Sequence, residues 1–158
     1  TSFHSGAVQK IKDDIEVVKP TFFCSVPRLY TRLHDGVNAK FKQAEGVKKV
    51  LIDRALEVKL ENAQEYGNYT HQIYDRLVFN KTREGLGGNM KIMISGSAPL
   101  LPKVHAFMKV IACAPLIEGY GQTESTGASF VTSGNDPACG HVGGPTVKLF
   151  IYSEQHVV

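Results

Sequence analysis

The sequence predicts an α/β fold, a partial and mostly parallel sheet flanked by helices, and three neighbouring stretches carry that expectation. Ile92-Met93-Ile94 is a short apolar run that stops in Ser95-Gly96-Ser97-Ala98-Pro99. Val104, Phe107, Met108 and Ile111 then recur at i, i+3, i+4 and i+7, the spacing of one buried helix face. A third run, residues 115–117, empties into Glu118-Gly119-Tyr120-Gly121-Gln122-Thr123-Glu124. Strand, helix and strand in this order make a crossover unit whose two strands are parallel. Both small-residue loops therefore leave the same carboxyl edge of the sheet, where open α/β sheets bind ligands.

The remaining elements follow in chain order. Residues 7–18 place Val8, Ile11, Ile15 and Val18 on one face, and Pro20 closes that helix. Residues 21–26, β-branched and aromatic, read as a buried strand. Pro27 suits the first turn of a helix over 28–41 with Leu29, Leu33 and Val37 inward. From 42 to 88 the pattern is helical and amphipathic. Val47, Val50, Leu51 and Val58 mark its inner face, and Lys48, Lys49, Asp53, Arg54 and Lys59 the outer one. Tyr66-Gly67-Asn68 breaks the run, and Ile73, Tyr74, Leu77 and Val78 continue a second helix to Gly85. Gly85-Leu86-Gly87-Gly88 reads as a turn, because no Lys-Ser/Thr follows as a phosphate loop requires. Gly134-Asn135-Asp136-Pro137 is turn chemistry, and residues 147–152 read as a final strand.

Composition narrows the class. A chain of 158 residues can bury one core and is ordinarily one domain. The formal charge of +3, with basic and acidic residues interleaved, gives no nucleic-acid signal. No apolar run approaches the roughly 18–20 residues of a membrane span. The first residues carry neither a basic start nor an apolar block, and the chain does not begin with Met, so a piece of a longer protein is expected. Cys24, Cys113 and Cys139 match no metal-ligand or disulfide spacing and read as reduced thiols of an intracellular protein. The acceptor triplets Asn68-Tyr69-Thr70 and Asn80-Lys81-Thr82 are then chance matches. His71 and His105 are expected on helix surfaces, and His141 is assigned no role.

The two loops have a chemistry of their own. Gly119 and Gly121 let the backbone turn sharply and approach a ligand. Tyr120 between them offers a flat face for a purine, Thr123 a hydroxyl for a phosphate oxygen, and Glu124 a hard oxygen ligand of the kind Mg²⁺ takes. Gly96-Ser97-Ala98 presents backbone almost without side-chain bulk, fit to lie against a planar ring. The alternative is two tight turns, with Tyr120 filling a gap in the core and Glu124 capping the next helix. Small residues from Ser125 to Ser129 could leave room behind the loop or permit close packing.

SGSAPL followed about twenty residues later by EGYGQTES resembles the adenylate-forming superfamily, and within it the long-chain fatty-acyl-CoA synthetases. PTFFCSVPRLYTRLHDGV (20–37) and GHVGGPTV (140–147) resemble the segments of those synthetases before and after the two loops. The stretch 8–19 is shorter than the family's usual one. The resemblance implies a central fragment of the large N-terminal, AMP-binding domain, a single partial domain over 1–158. The phosphate loop, the ribose-binding Asp and the C-terminal domain with its catalytic Lys are not in the sequence, and the fragment is expected to be inactive alone. Gly96, Ser97, Ala98 and Pro99 would line adenine, chiefly through main chain. Tyr120 would stack on it, with the Glu118-Gly119 backbone at its edge. Thr123 would hold the α-phosphate and Glu124 would bind Mg²⁺, these two being the candidate catalytic pair. Gly121 and Gln122, with residues 125–127 behind them, would border the acyl carboxylate.

The implied reaction joins a long-chain fatty acid to ATP as acyl-AMP and then to CoA. The parent would work at the cytosolic face of the endoplasmic reticulum or a peroxisome, with peripheral membrane association and no nucleic-acid partner. Two other readings compete: another adenylate-forming ligase, of the aryl-CoA or peptide-synthetase type, and a non-catalytic nucleotide-binding module.

Overall fold

A computed structural model describes residues 11–125 and 127–146. The short apolar runs pair as the crossover logic requires. β1 (Phe22–Ser25) lies parallel to β2 (Ile92–Ser95), and β2 lies parallel to β3 (Leu116–Gln122). In register, Met93 faces Leu116 and Ser95 faces Glu118. Beyond β3 the sheet continues antiparallel through β4 (Gly127–Val131) and β5 (Gly144–Pro145), giving five strands in sequence order. The α/β class is as read. The mixed character comes from β4 and β5, whose small residues carried no strand signal. β3 also runs through Gly119, Tyr120 and Gly121, read from the sequence as loop. Gly119 pairs with Val131 and Tyr120 with Phe130, so cross-strand hydrogen bonding outweighs the poor strand propensity of glycine.

The helices are α1 (Ile11–Val18), α2 (Pro27–Lys42), α3 (Gly46–Tyr66), α4 (Gln72–Tyr74), α5 (Asn80–Gly85) and α6 (Pro102–Ala112). A π-helical turn, Asp75–Phe79, joins α4 to α5. Pro27 sits in the first turn of α2, as its missing N–H allows. Tyr30 of α2 is fully buried, and its hydroxyl lies 3.0 Å from both the Phe23 and Ile94 carbonyls, pinning the helix across β1 and β2. Burial pushes its phenol well above the usual range. α6 buries Val104, Phe107, Met108 and Ile111 as its periodicity demands. The expected helix over 7–18 is seen as α1, residues 7–10 lying outside the described residues; Val18, expected on its inner face, is exposed. The expected strand over 147–152 also lies outside them.

The α3 face differs from the sequence reading. Val47 is 87% exposed and Val50 and Leu51 are exposed too, while Ile52, Ala55, Lys59 and Ala63 point inward. Lys59, expected on the outer face, is 0% exposed. Its ammonium donates to Asp75 Oδ1, to the Val110 carbonyl at 2.8 Å and to Cys113 Sγ at 3.2 Å, and stands 4.4 Å from the centre of the Phe79 ring. One cation thus ties α3, the π turn and the end of α6 together. A buried charge is tolerated only when paired and hydrogen-bonded, as here. α3 ends where expected: Gly67 adopts φ 67°, and a Cβ there would lie 2.3 Å from the Asn135 carbonyl oxygen.

Asp75 also accepts the His71 N–H, at 2.9 Å. Asp75→Ala would therefore strand a buried ammonium and destabilise the fold by about 3–5 kcal/mol. Lys59→Met combined with Asp75→Leu should recover most of that loss. Urea unfolding midpoints of the three proteins check this; a single-variant loss below about 1 kcal/mol would place the pair among weak surface contacts.

Candidate functional site

The first candidate loop begins at the carboxyl end of β2, and the second stretch begins where β3 passes beyond its parallel pairing with β2 at Glu118 and continues, paired with β4, to Gln122. Gly96 follows β2, and a Cβ on it would meet the Gly119 carbonyl oxygen at 3.5 Å, so the two glycine backbones lie side by side. Ser97 takes φ 73°, a left-handed conformation that a non-glycine residue adopts at a cost of about 1–3 kcal/mol. Ser97, Ala98 and Pro99 are exposed, while Leu100 is buried at the end of the loop. The Leu100 N–H donates to Glu118 Oε2 at 3.2 Å. The first loop is thereby tied to the strand that leads into the second.

Glu118 is the joint of the site. Its side chain is buried, its N–H donates to Thr132 Oγ1 at 2.8 Å, and its carbonyl accepts the Thr132 N–H at 2.9 Å. Glu118 Oε1 and the cross-strand Ser95 Oγ are buried without a hydrogen-bond partner. An unpartnered buried carboxylate oxygen costs more than an unmade surface bond, and it would be relieved by an amino donor. Sequence reasoning gave Glu118 a backbone role alone. The pairing of its side chain with Leu100 had no local signal, because the partners are 18 residues apart.

Tyr120 is 45% exposed, with its ring centroid 6.2 Å from that of Phe130. It does not fill the core, which removes the tight-turn alternative for this residue. Its hydroxyl accepts the Gln122 side-chain amide at 2.6 Å. Gly121 sits at an irregularity in the β3–β4 register, and a Cβ there would fall 1.8 Å from the Gly127 carbonyl oxygen. Close packing therefore accounts for the small residue at Gly121, whereas a Cβ on Gly127 would meet nothing within 4 Å and its φ of 122° is what favours glycine there; Thr126 lies outside the described residues. Ser125 Oγ accepts the Gln122 N–H at 3.1 Å and lies 3.0 Å from the Gln122 carbonyl, stapling the turn. Thr123 and Glu124 occupy a 3-10 turn, Thr123–Ser125, that leads into β4, so Glu124 caps no helix. Both are exposed and neither makes a hydrogen bond or ion pair among the described residues.

For a purine nucleotide, the side-by-side backbones of Gly96 and Gly119, the exposed Tyr120 ring and the orphan Glu118 oxygen all fit. For Mg²⁺ there is one free carboxylate, Glu124. No group of three or more His, Cys, Asp or Glu side chains clusters among the described residues. That suits an ion that takes one or two carboxylates and completes its shell with phosphate oxygens and water.

His105 corrects an expectation. It lies inside α6, not on its surface, because it serves β3: Nε2–H donates to the Leu116 carbonyl at 2.8 Å, leaving Nδ1 to accept from Cys139 Sγ at 2.9 Å. Burial lowers its pKa to about 4. Burial also raises the Cys139 thiol, which nearby Lys109 opposes in part. His71 caps α4, accepting the Tyr74 N–H at 3.3 Å. The three cysteines are free.

The family model for AMP-binding enzymes matches residues 2–155. The chain belongs to the AMP-binding enzyme family. Long chain acyl-CoA synthetase 3 of Arabidopsis thaliana is 40% identical over 156 residues, covering 96% of this chain and 23% of that protein. The peroxisomal long chain acyl-CoA synthetase 7 of the same plant is 41% identical over 143 residues, 90% of this chain and 20% of its own length. The chain thus spans about a fifth of the curated relatives it matches. In the fold, it is similar to the adenylation domain of a carboxylate reductase from Mycobacterium chelonae. The TM-score is 0.57 at 24% identity, covering 82% of this chain and 17% of that one.

Two outcomes are expected. Gly121→Ala forces a Cβ into the β4 backbone and destabilises by about 1–3 kcal/mol, whereas Gly119→Ala, whose Cβ would find its nearest atom at 3.9 Å, leaves stability nearly unchanged; thermal melts of both variants check this. The second outcome concerns pH. His105 titrates at about 6.5 unfolded and about 4 folded, so the unfolded chain binds the extra proton first as pH falls. Its contribution is fully present above about 6.5 and is lost as pH drops to about 4. Urea midpoints across that window should fall in the parent protein and flatten in His105→Gln.

Proposed function

We propose that this chain forms the nucleotide-binding core of a ligase that activates long-chain fatty acids with ATP to acyl-AMP and then acyl-CoA. The observation that carries the reading is the meeting of Gly96 with Gly119 at one sheet edge, beside an exposed Tyr120 and an unpaired Thr123-Glu124. The similarity to long chain acyl-CoA synthetases supports the choice of acid and of CoA as acceptor.

In this reading adenine lies against the Gly96-Ser97-Ala98-Pro99 backbone with Tyr120 on its face. Its exocyclic amine supplies the donor that Glu118 Oε1 lacks. The Thr123 hydroxyl donates to an α-phosphate oxygen. Gly121 and Gln122 border the fatty acid, whose carboxylate oxygen attacks the α-phosphorus as the bond to pyrophosphate breaks. The CoA thiol then attacks the acyl carbonyl and AMP leaves. Glu124 would hold Mg²⁺, which when bound offsets phosphate charge. Positioning and charge neutralisation are the protein's share of such a reaction.

The chain is read as one partial AMP-binding domain. The groups that hold the outer phosphates and the ribose, and the lysine of a C-terminal domain, come from sequence other than these residues. A site at the cytosolic face of the endoplasmic reticulum or a peroxisome is supported by the peroxisomal relative. No helix among the described residues is long and apolar enough to cross a membrane.

The test is ATP–pyrophosphate exchange by the intact protein with hexadecanoate and, separately, with benzoate. Exchange with hexadecanoate alone is expected. Preference for benzoate would move the assignment to aryl-CoA ligases, and no exchange with either would make the site non-catalytic. Glu124→Gln should lower the hexadecanoate rate about 100-fold or more. Tyr120→Ala should raise the KM for ATP about tenfold with a smaller change in kcat.

A further inference from the structure

A groove of about 840 Å³ lies among α1, α2, α3, the π turn and α5. None of the candidate nucleotide residues lines it. Its volume falls in the range of small-molecule sites, about 300–1,000 Å³. The floor is hydrocarbon: Leu29, Leu33, Phe41 and Ile52 come from α2 and α3, and Leu86, just after α5, is buried with them. Leu77 and Val78 of the π turn form a wall, with Leu77 64% exposed. π turns are rare and recur at functional sites.

The rim has the opposite character. Arg32, Lys40, Lys48 and Lys81 stand around the groove, and none has an ion-pair partner among the described residues. Elsewhere on α3 the cations are paired, Lys49 with Asp53 and Arg54 with Glu57. The one carboxylate in the lining, Asp35, is already bonded to His34 Nδ1 at 2.8 Å. Unpaired cations over an apolar trough match a ligand with an alkyl chain and a negative head. A polar anion would leave the trough unused, and a neutral hydrocarbon would leave the cations unused.

We propose that this groove is an acyl site, which holds a monomeric long-chain carboxylate with its chain along Leu33, Phe41 and Val78 and its head among Lys40, Lys48 and Lys81. The inference uses no nucleotide residue and does not rest on the ligase reading.

The experiment is photolabelling of the intact protein by a diazirine-bearing hexadecanoate below its micelle concentration, without nucleotide, with labelled peptides mapped by mass spectrometry. Label is expected on the segments containing Leu33–Phe41 and Leu77–Leu86. Competition by dodecanoate, tetradecanoate and hexadecanoate should tighten about fourfold per added methylene. Lys40→Glu with Lys81→Glu, both exposed, should weaken competition about tenfold; Val78→Trp should block labelling while circular dichroism reports an unchanged fold. Label confined to the loops at Gly96 and Tyr120, equal competition by hexadecyltrimethylammonium, or unaltered competition in the charge-reversed protein overturns the proposal. So does binding to anionic vesicles without labelling by the monomeric probe, which would make this surface a bilayer contact.

Discussion

The parallel pairing of β2 with β3 is the constraint on which the site depends. With Ser95 beside Glu118, the parallel pairing ends there and the next residues, Gly96 and Gly119, meet backbone to backbone. A slip of one residue would send Glu118 to the other face and free the Leu100 amide that now fastens the first loop. α6 enforces the register from behind. Its Val104, Phe107, Met108 and Ile111 share one core with Met93 and Leu116, and its His105 bonds the Leu116 carbonyl. Packing, register and loop placement are one arrangement.

Glu118 and Lys59 illustrate two uses of a buried charge. Lys59 is surrounded by acceptors from three segments, so its ammonium is satisfied and acts as a structural tie. Glu118 is satisfied on one oxygen only, and the open one lies at the base of the two loops. A fully paired charge acts through folding; the half-paired Glu118 leaves one acceptor open beside the exposed loops.

The sequence made legible whatever depended on local pattern. The α6 face followed from Val104, Phe107, Met108 and Ile111, the breaks at Gly67 and Gly87-Gly88 from backbone need, and the shared edge of the loops from crossover topology. What stayed hidden depended on distant partners. Val47, Val50 and Leu51 look like a core stripe, yet Ile52, Ala55, Lys59 and Ala63 pack inward. The reason is that Lys59 finds Asp75, Val110 and Cys113 at separations of 16, 51 and 54 residues. His105 was misjudged for the same reason, and the strand through Gly119 and Gly121 was hidden because β4 supplies its stability from outside. In the candidate site the residue types were readable, while the side-chain role of Glu118 was not.

The central claim is that the bends at Gly96 and Gly119 bound one nucleotide crevice. Crystals of the intact protein grown with AMP test it most directly. The account predicts adenine between the Gly96–Ala98 backbone and the Tyr120 ring, its amino group within hydrogen-bond reach of the Glu118 carboxylate. Adenine bound elsewhere with those two bends empty, or the space between them filled by side chains in the complex, would contradict it.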